Sequence, residues 1–285
     1  MRLGLLPLAV LASLLCASAG ARADGFELPA KTKRAAVGGE LGYFHDRQEA
    51  SSIDVLSTLL ELRYAFSPRW SLSADWGLLS AAQNPEHGSA DFAWRPGNPT
   101  AYAVMEGAWP AGRGHYRLGV GGSAPLAVVE RDGGQGRLQH LAYNDAQGMD
   151  GLWHLWLWAP SRGALLGRAE LALDLDPELR LDLAFAPALM IPAREAYGHE
   201  PVVTFLPFAV GFSTSRGIWR LGVRFQAVVM PANPDVLQTS VVPWIRVALG
   251  QAFIEARYTG NIDEPLAGER GPRIWGVQLA AGGVL

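Results

Sequence analysis

Residues 168–187 read RAELALDLDPELRLDLAFAP, and on both sides of Asp176-Pro177 every second position is apolar. Ala169, Leu171, Leu173 and Leu175 alternate with Arg168, Glu170 and Asp174; Leu179, Leu181, Leu183 and Phe185 alternate with Arg180 and Asp182. A period of two puts successive side chains on opposite faces of a strand, and Asp-Pro between two such runs is a turn signal. The stretch therefore predicts a β-hairpin with one apolar and one polar face. The same alternation recurs at 36–46, 55–66, 70–80, 100–109, 115–124, 202–213, 218–230, 237–248, 252–263 and 273–285. Counting the hairpin as 168–175 and 179–185, this predicts twelve strands, or ten if weaker runs fail, in an all-β chain.

Most of these runs are ten to thirteen residues long, whereas strands of ordinary globular proteins average about five or six and a tilted membrane-crossing strand needs about nine to eleven. Their connections alternate as well. The links at 67–69, 110–114, 176–178, 214–217 and 249–251 are tight, and those after the odd-numbered strands are mostly longer. One end of the sheet then carries turns and the other carries loops, as in a membrane barrel with short periplasmic turns and longer extracellular loops. Aromatic residues sit near the predicted strand ends: Tyr43, Tyr64, Phe66, Trp70, Trp76, Trp109, Tyr116, Trp219, Tyr258 and Trp275. Headgroup-level girdles favour such amphipathic rings. A soluble sandwich shares the pattern with its faces exchanged, and a soluble periplasmic β protein is the rival fold.

The N-terminus changes the picture further. Arg2, the apolar run 3–16 and Ala21-Arg22-Ala23 have the form of a secretory signal peptide, which divides the chain into a leader, 1–23, and a barrel, 24–285. The one cysteine, Cys16, lies in the leader, so the mature chain has no disulfide and no thiol chemistry. With 24 basic and 27 acidic residues before cleavage removes Arg2 and Arg22, the chain is mildly acidic and has no nucleic-acid signature. No later apolar run is long enough for a membrane helix.

Taken together, these features resemble bacterial outer-membrane β-barrel proteins of the broad porin-like class, over essentially the whole mature chain and without a family-specific motif. The resemblance implies an up-and-down antiparallel barrel in the outer membrane of a Gram-negative-type bacterium. Its partners would be outer-membrane lipid, the barrel-assembly machinery and a small solute. Such barrels commonly end on an aromatic residue; this chain ends Gly282-Gly283-Val284-Leu285, with Leu285 on the outward parity of Trp275, Val277 and Leu279.

On the same parity the lumen receives Glu61, Arg63, Asp75, Glu106, Arg117, Arg168, Glu170, Asp174, Arg180, Asp182, Arg220, Arg224, Arg246, Glu255 and Arg257, together with Glu40. Eight charges of each sign make no strong uniform field. They form either a narrow permeation path for a polar or amphipathic solute or an ion-pair network that closes the lumen. Barrel size leaves both open, since eight strands are filled by side chains and 16 to 18 leave an aqueous channel. The segment GLWHLWLWAP at 151–160 carries Trp153, Trp156 and Trp158, read as membrane-interface anchors or as a ligand platform; the preceding 137–149 reads as a loop helix or an inserted plug. No nucleophile elbow, zinc, P-loop or dinucleotide motif occurs. His45, His87 and His199 stand beside Asp46, Glu86 and Glu200 in predicted loops, a pattern of solvated polarity. Neither catalysis nor a cofactor or metal is expected.

Overall fold

The computed structural model describes residues 34–48, 51–85, 91–109, 113–130, 133–193, 201–231, 237–263 and 275–284. The expected leader, 1–23, and Leu285 lie outside them. Fourteen strand segments form one antiparallel sheet: β1 (Arg34–Gln48), β2 (Ser51–Ala65), β3 (Trp70–Pro85), β4 (Asp91–Pro96), β5 (Thr100–Ala108), β6 (Gly114–Ser123), β7 (Arg162–Asp174), β8 (Leu179–Phe185), β9 (Ala188–Pro192), β10 (Val203–Arg216), β11 (Trp219–Val229), β12 (Leu237–Leu249), β13 (Ala252–Asn261) and β14 (Trp275–Val284). β4 and β5 are one barrel strand broken at Gly97-Asn98-Pro99, and β8 and β9 one broken at Ala186-Pro187, which gives twelve staves. Neighbours pair in chain order, β10 pairs with β11, and β14 returns to β1 through Ala36↔Val284 to Tyr43↔Val277, so the barrel is closed.

Closure leaves no free edge, which is how a sheet satisfies its backbone without water. The hairpin at 168–187 is stabilised at its tip by an Asx turn, in which the Asp176 carboxylate accepts from the Glu178 and Leu179 N–H groups, both at 2.7 Å. Register then fixes the faces: Leu171↔Leu183 and Leu173↔Leu181 pair on the outside, and Ala172↔Asp182 and Asp174↔Arg180 on the inside. Outward positions stay exposed and apolar around the barrel, with Leu72, Val120, Leu165, Leu221 and Leu279 among them. Of the aromatic residues expected near strand ends, Tyr64, Phe66, Trp70, Trp109 and Trp219 form an exposed girdle at the turn end. Trp76 is also exposed, but it lies in the body of β3.

The strand ends and the link between β6 and β7 differ from the sequence reading. β1 and β2 run on to Gln48 and back to Ser51, and β3 to Pro85, well past the predicted ends. β7 begins at Arg162 rather than 168. Between β6 and β7 lies the largest insertion, helix α1 (Gly133–Met149) and a 3-10 turn (Leu155–Leu157). α1 packs on β1 to β4 and on β14, so it sits inside the barrel as a plug. The core of the protein is therefore lumenal and lies at the loop end. Phe44, Ile53, Val55, Leu79 and Ala81 point in from the wall against Leu138, Tyr143, Met149 and Leu157 of the plug. This explains the missed strand ends: under the plug the inner face is apolar (Ile53, Val55, Ala81) while the outer positions Ser52, Asp54 and Asn84 are polar, and in β7 Ala164-Leu165-Leu166 is apolar on both faces, so the pattern of apolar outside and charge inside stops there.

Candidate functional site

The plug seats itself through carbonyls. The last carbonyls of a helix have no intrahelical partner, and at the end of α1 three wall amides meet them. Asn261 Nδ2 donates to Gly148 O (2.9 Å), Gln278 Nε2 to Met149 O (3.2 Å) and Gln226 Nε2 to Asp150 O (2.8 Å). Gly151 and Leu152 then take left-handed φ of 59° and 63°, turning the chain sharply. A Cβ on Gly151 would come within 2.4 Å of Gln226 and Ser240, so this turn needs glycine. Across the lumen the strand break at 97–99 places Asn98, fully buried, against the other arm of the plug. Its Nδ2 faces the carbonyls of Trp156 (2.9 Å), Ala159 (2.7 Å) and Arg162 (3.2 Å), and its Oδ1 accepts from Ala127 N (2.7 Å). Gln147 Nε2 closes the plug on itself at Trp158 O (3.0 Å).

Trp153, Trp156 and Trp158 are buried in this interior and do not join the outer girdle. Trp158 lies on Gly77, where a Cβ would meet the indole at 2.3 Å, and Trp153 lies under the Arg224 guanidinium, 5.2 Å from the ring centroid. Gly77 and Gly97 leave the flat space that the Trp158 ring occupies. His154, between them, meets Asp150 Oδ2 at 2.5 Å.

Below the plug the lumen is hollow. A cavity of about 370 Å³ occupies its turn-side half, and of the lumenal charges predicted from parity all but Glu106 and Asp174 line it. Trp153, His154 and Leu157 of the plug line it too. Three ion-pair groups surround it. In the first, Arg63 pairs with Glu106, Arg117 lies 3.9 Å from Glu106 and 3.6 Å from Glu170, and Arg168 binds Glu170 at 2.6 Å. In the second, Arg180 reaches Asp182 (3.1 Å), Asp174 (3.9 Å) and His115 (2.7 Å). In the third, Arg246 binds Glu255 (2.6 Å), and Arg257 binds Glu40 (2.5 Å) and Glu255 (3.4 Å). Glu61 and Asp75 face each other across β2 and β3, with Thr100 Oγ1 donating to Asp75 at 3.1 Å. Arg220 donates to Ser213 Oγ at 3.0 Å and stacks toward Trp244.

Sequence reasoning did not single out Asn98, Gln226, Asn261 or Gln278, although the last three carry lumen parity and an uncharged amide, a usable signal for a carbonyl seat. His45 pairs with Asp54 of the neighbouring strand at 2.8 Å. His87 and His199 lie outside the described residues. Among the described residues no cluster of three metal-ligating side chains occurs.

No family model matches the chain, and no curated protein matches it. Among solved structures, an outer-membrane channel from Pseudomonas putida F1 aligns over 93% of this chain and 100% of its own, with a TM-score of 0.56 and 11% identity. The β domain of a Bordetella autotransporter aligns over 90% and 100%, with a TM-score of 0.49 and 12% identity. The likeness to the Pseudomonas channel is one of fold, and the fold is that of bacterial outer-membrane β-barrels.

Proposed function

We propose that this chain is an outer-membrane channel for a small polar or amphipathic solute, closed at rest by its own inserted plug. The observation that carries the reading is the division of the lumen. A hollow half lined by eight arginines and their carboxylates lies beneath a plug held by a short set of amide contacts. A purely structural interior has little use for such charges, since an ion network is often no more stabilising than apolar packing of equal volume. The continuous outward apolar surface supports residence in lipid, because soluble monomers rarely expose contiguous apolar patches beyond a few hundred Å². In this reading residues 1–23 direct export and are removed, the barrel-assembly machinery inserts 24–285 in the outer membrane, and neither catalysis nor a cofactor takes part.

A second reading, a non-conducting structural or surface-binding barrel, is favoured by the apolar packing that fills the loop-side half. Planar-bilayer recording separates the two. The channel reading expects rare, brief openings from the whole chain and a large steady conductance once residues 131–160 are replaced by a short Gly-Ser linker. If both proteins fold and both stay silent, the barrel is not a channel.

A further inference from the structure

The lumenal charges balance in number but not in space. On β11 to β13, Arg220, Arg224, Arg246 and Arg257 are matched by Glu255 and by Glu40 of β1, while Glu61 and Asp75 form an acidic pair on β2 and β3. Register puts Arg220 directly opposite Arg246, and like charges in that relation repel. Arg257 is opposite Trp244, so the three strands present a continuous cationic face. Gly211 stands opposite Arg224, and Gly222 opposite Trp244. The Trp244 indole fills the space over Gly222, whereas Gly211 leaves room beside Arg224.

Arg224 is the particular observation. Among the described residues, its Nε and Nη2 are buried and have no hydrogen-bond partner. Its guanidinium lies over Trp153, at the boundary between plug and cavity. Asp150, the acid at the end of the plug helix, gives Oδ2 to His154, while its buried Oδ1 has no hydrogen-bond partner among the described residues and does not reach the Arg224 guanidinium. A buried guanidinium with idle N–H groups is strongly unfavourable unless something completes it, and its planar fork matches two oxygens of a carboxylate or phosphate.

From this we infer that the cationic wall of β11 to β13 beneath the plug is a binding site for a small oxyanion, a carboxylate or a phosphate group, with Arg224 as its principal donor. As a statement about the transported solute, this rests on the channel reading. As a statement about binding, it stands without it. The cavity limits the ligand to a small molecule, and Trp244 and Phe253, each stacked by Arg246, hold the neighbouring guanidinium in place.

The test is calorimetry on the full-length protein in a non-ionic detergent, with malonate, inorganic phosphate and the neutral malonamide as probes. Saturable binding of malonate, phosphate or both is expected, with malonamide at least tenfold weaker. Phosphate alone assigns the site to phosphorylated solutes and malonate alone to carboxylates. Arg224→Gln should weaken binding at least tenfold, while Arg69→Gln, on an exposed turn, should leave it unchanged. Folding is checked by the faster gel migration of the unboiled barrel, and Arg220→Gln replaces Arg224→Gln if the latter does not fold. Absence of saturable heat from both oxyanions, equal binding of malonamide, or undiminished binding in the folded arginine variants overturns the site. Bilayer recording of the same preparations separates the two ideas: binding without conductance sinks the channel alone, and conductance without binding sinks the oxyanion site alone.

Discussion

Asn98 anchors the plug to the wall at the strand break. One buried amide serves a backbone N–H and three carbonyls on segments about thirty to sixty positions away. Truncation to alanine leaves these groups without partners, and each buried polar group so stranded costs roughly 1–3 kcal/mol. Asn98→Ala should therefore destabilise plug docking by about 3 kcal/mol while leaving the barrel wall intact, seen in the channel reading as steady conductance with native gel migration. The Asp150–His154 pair adds a pH dependence. Burial pushes the Asp150 carboxyl up, but His154, its hydrogen bond, Arg224 and Arg257 outweigh it and hold it below its ordinary value. Burial likewise lowers the His154 imidazole, but Asp150, Asp75 and Glu40 outweigh it and raise it. The stabilisation from His154 is complete below the ordinary value of 6.5 and lost as pH rises through the raised one. That from Asp150 is complete above the ordinary 3.8 and lost as pH falls through the depressed one. Openings should be rarest between these ordinary values and more frequent in alkali, and His154→Gln should remove the alkaline limb. An unchanged pH profile in that variant would exclude the pair.

At the scale of elements, each of the twelve staves was legible from alternation, because apolar outer and polar or charged inner positions repeat the same period along the strands. The inward parity of Arg168, Glu170, Arg180 and Asp182 could be read in the same way, since a register slip would turn every leucine of that hairpin inward. Two things could not be read. Pro-Gly-Asn-Pro at 96–99 has turn chemistry and reads as a loop end, yet it breaks a strand inside the wall, its carbonyls and amides taken up by Gly77, Trp76 and the plug. The destination of the tryptophans was equally hidden, because local sequence records that an indole wants a half-apolar place but not which surface supplies it. The extended β7 also moves the middle of the wall. Leu173 lies near the turn, and Val120, 71% exposed and paired with Gly167 and Ala103, lies nearer the centre. Val120→Arg should cost about 2–4 kcal/mol of barrel stability in liposomes, measured by urea unfolding, with Arg at the Leu173 position milder. The reverse order would displace the bilayer along the barrel.

For the whole molecule, sidedness follows from placing turns and both described ends of the sheet together. Asn144, exposed on α1, and Ser215, at a tight turn, lie at opposite ends. With Cys16 the sole native thiol, a cysteine at each position reports cleanly. An impermeant maleimide on intact cells should label Asn144→Cys and spare Ser215→Cys; labelling of the second alone would invert the orientation.

The plug's seat also dictates an order of events during folding. Gly148, Met149 and Asp150 find their partners 113, 129 and 76 residues away, on strands made later in the chain. Contacts of such separation form slowly, because chain entropy is lost before they return any stabilisation. α1 also rests on β1, so its resting place is complete only when the first and last strands have met. The β1–β14 pairs that close the cylinder span still longer separations, so the order rests on the seat, which is complete only on closure: the expected sequence is closure first and entry of the segment second. In refolding from urea, the shift to compact gel migration should precede the fluorescence change that marks burial of Trp153, Trp156 and Trp158, and simultaneous appearance of the two would mean that the strands close around a plug already in position.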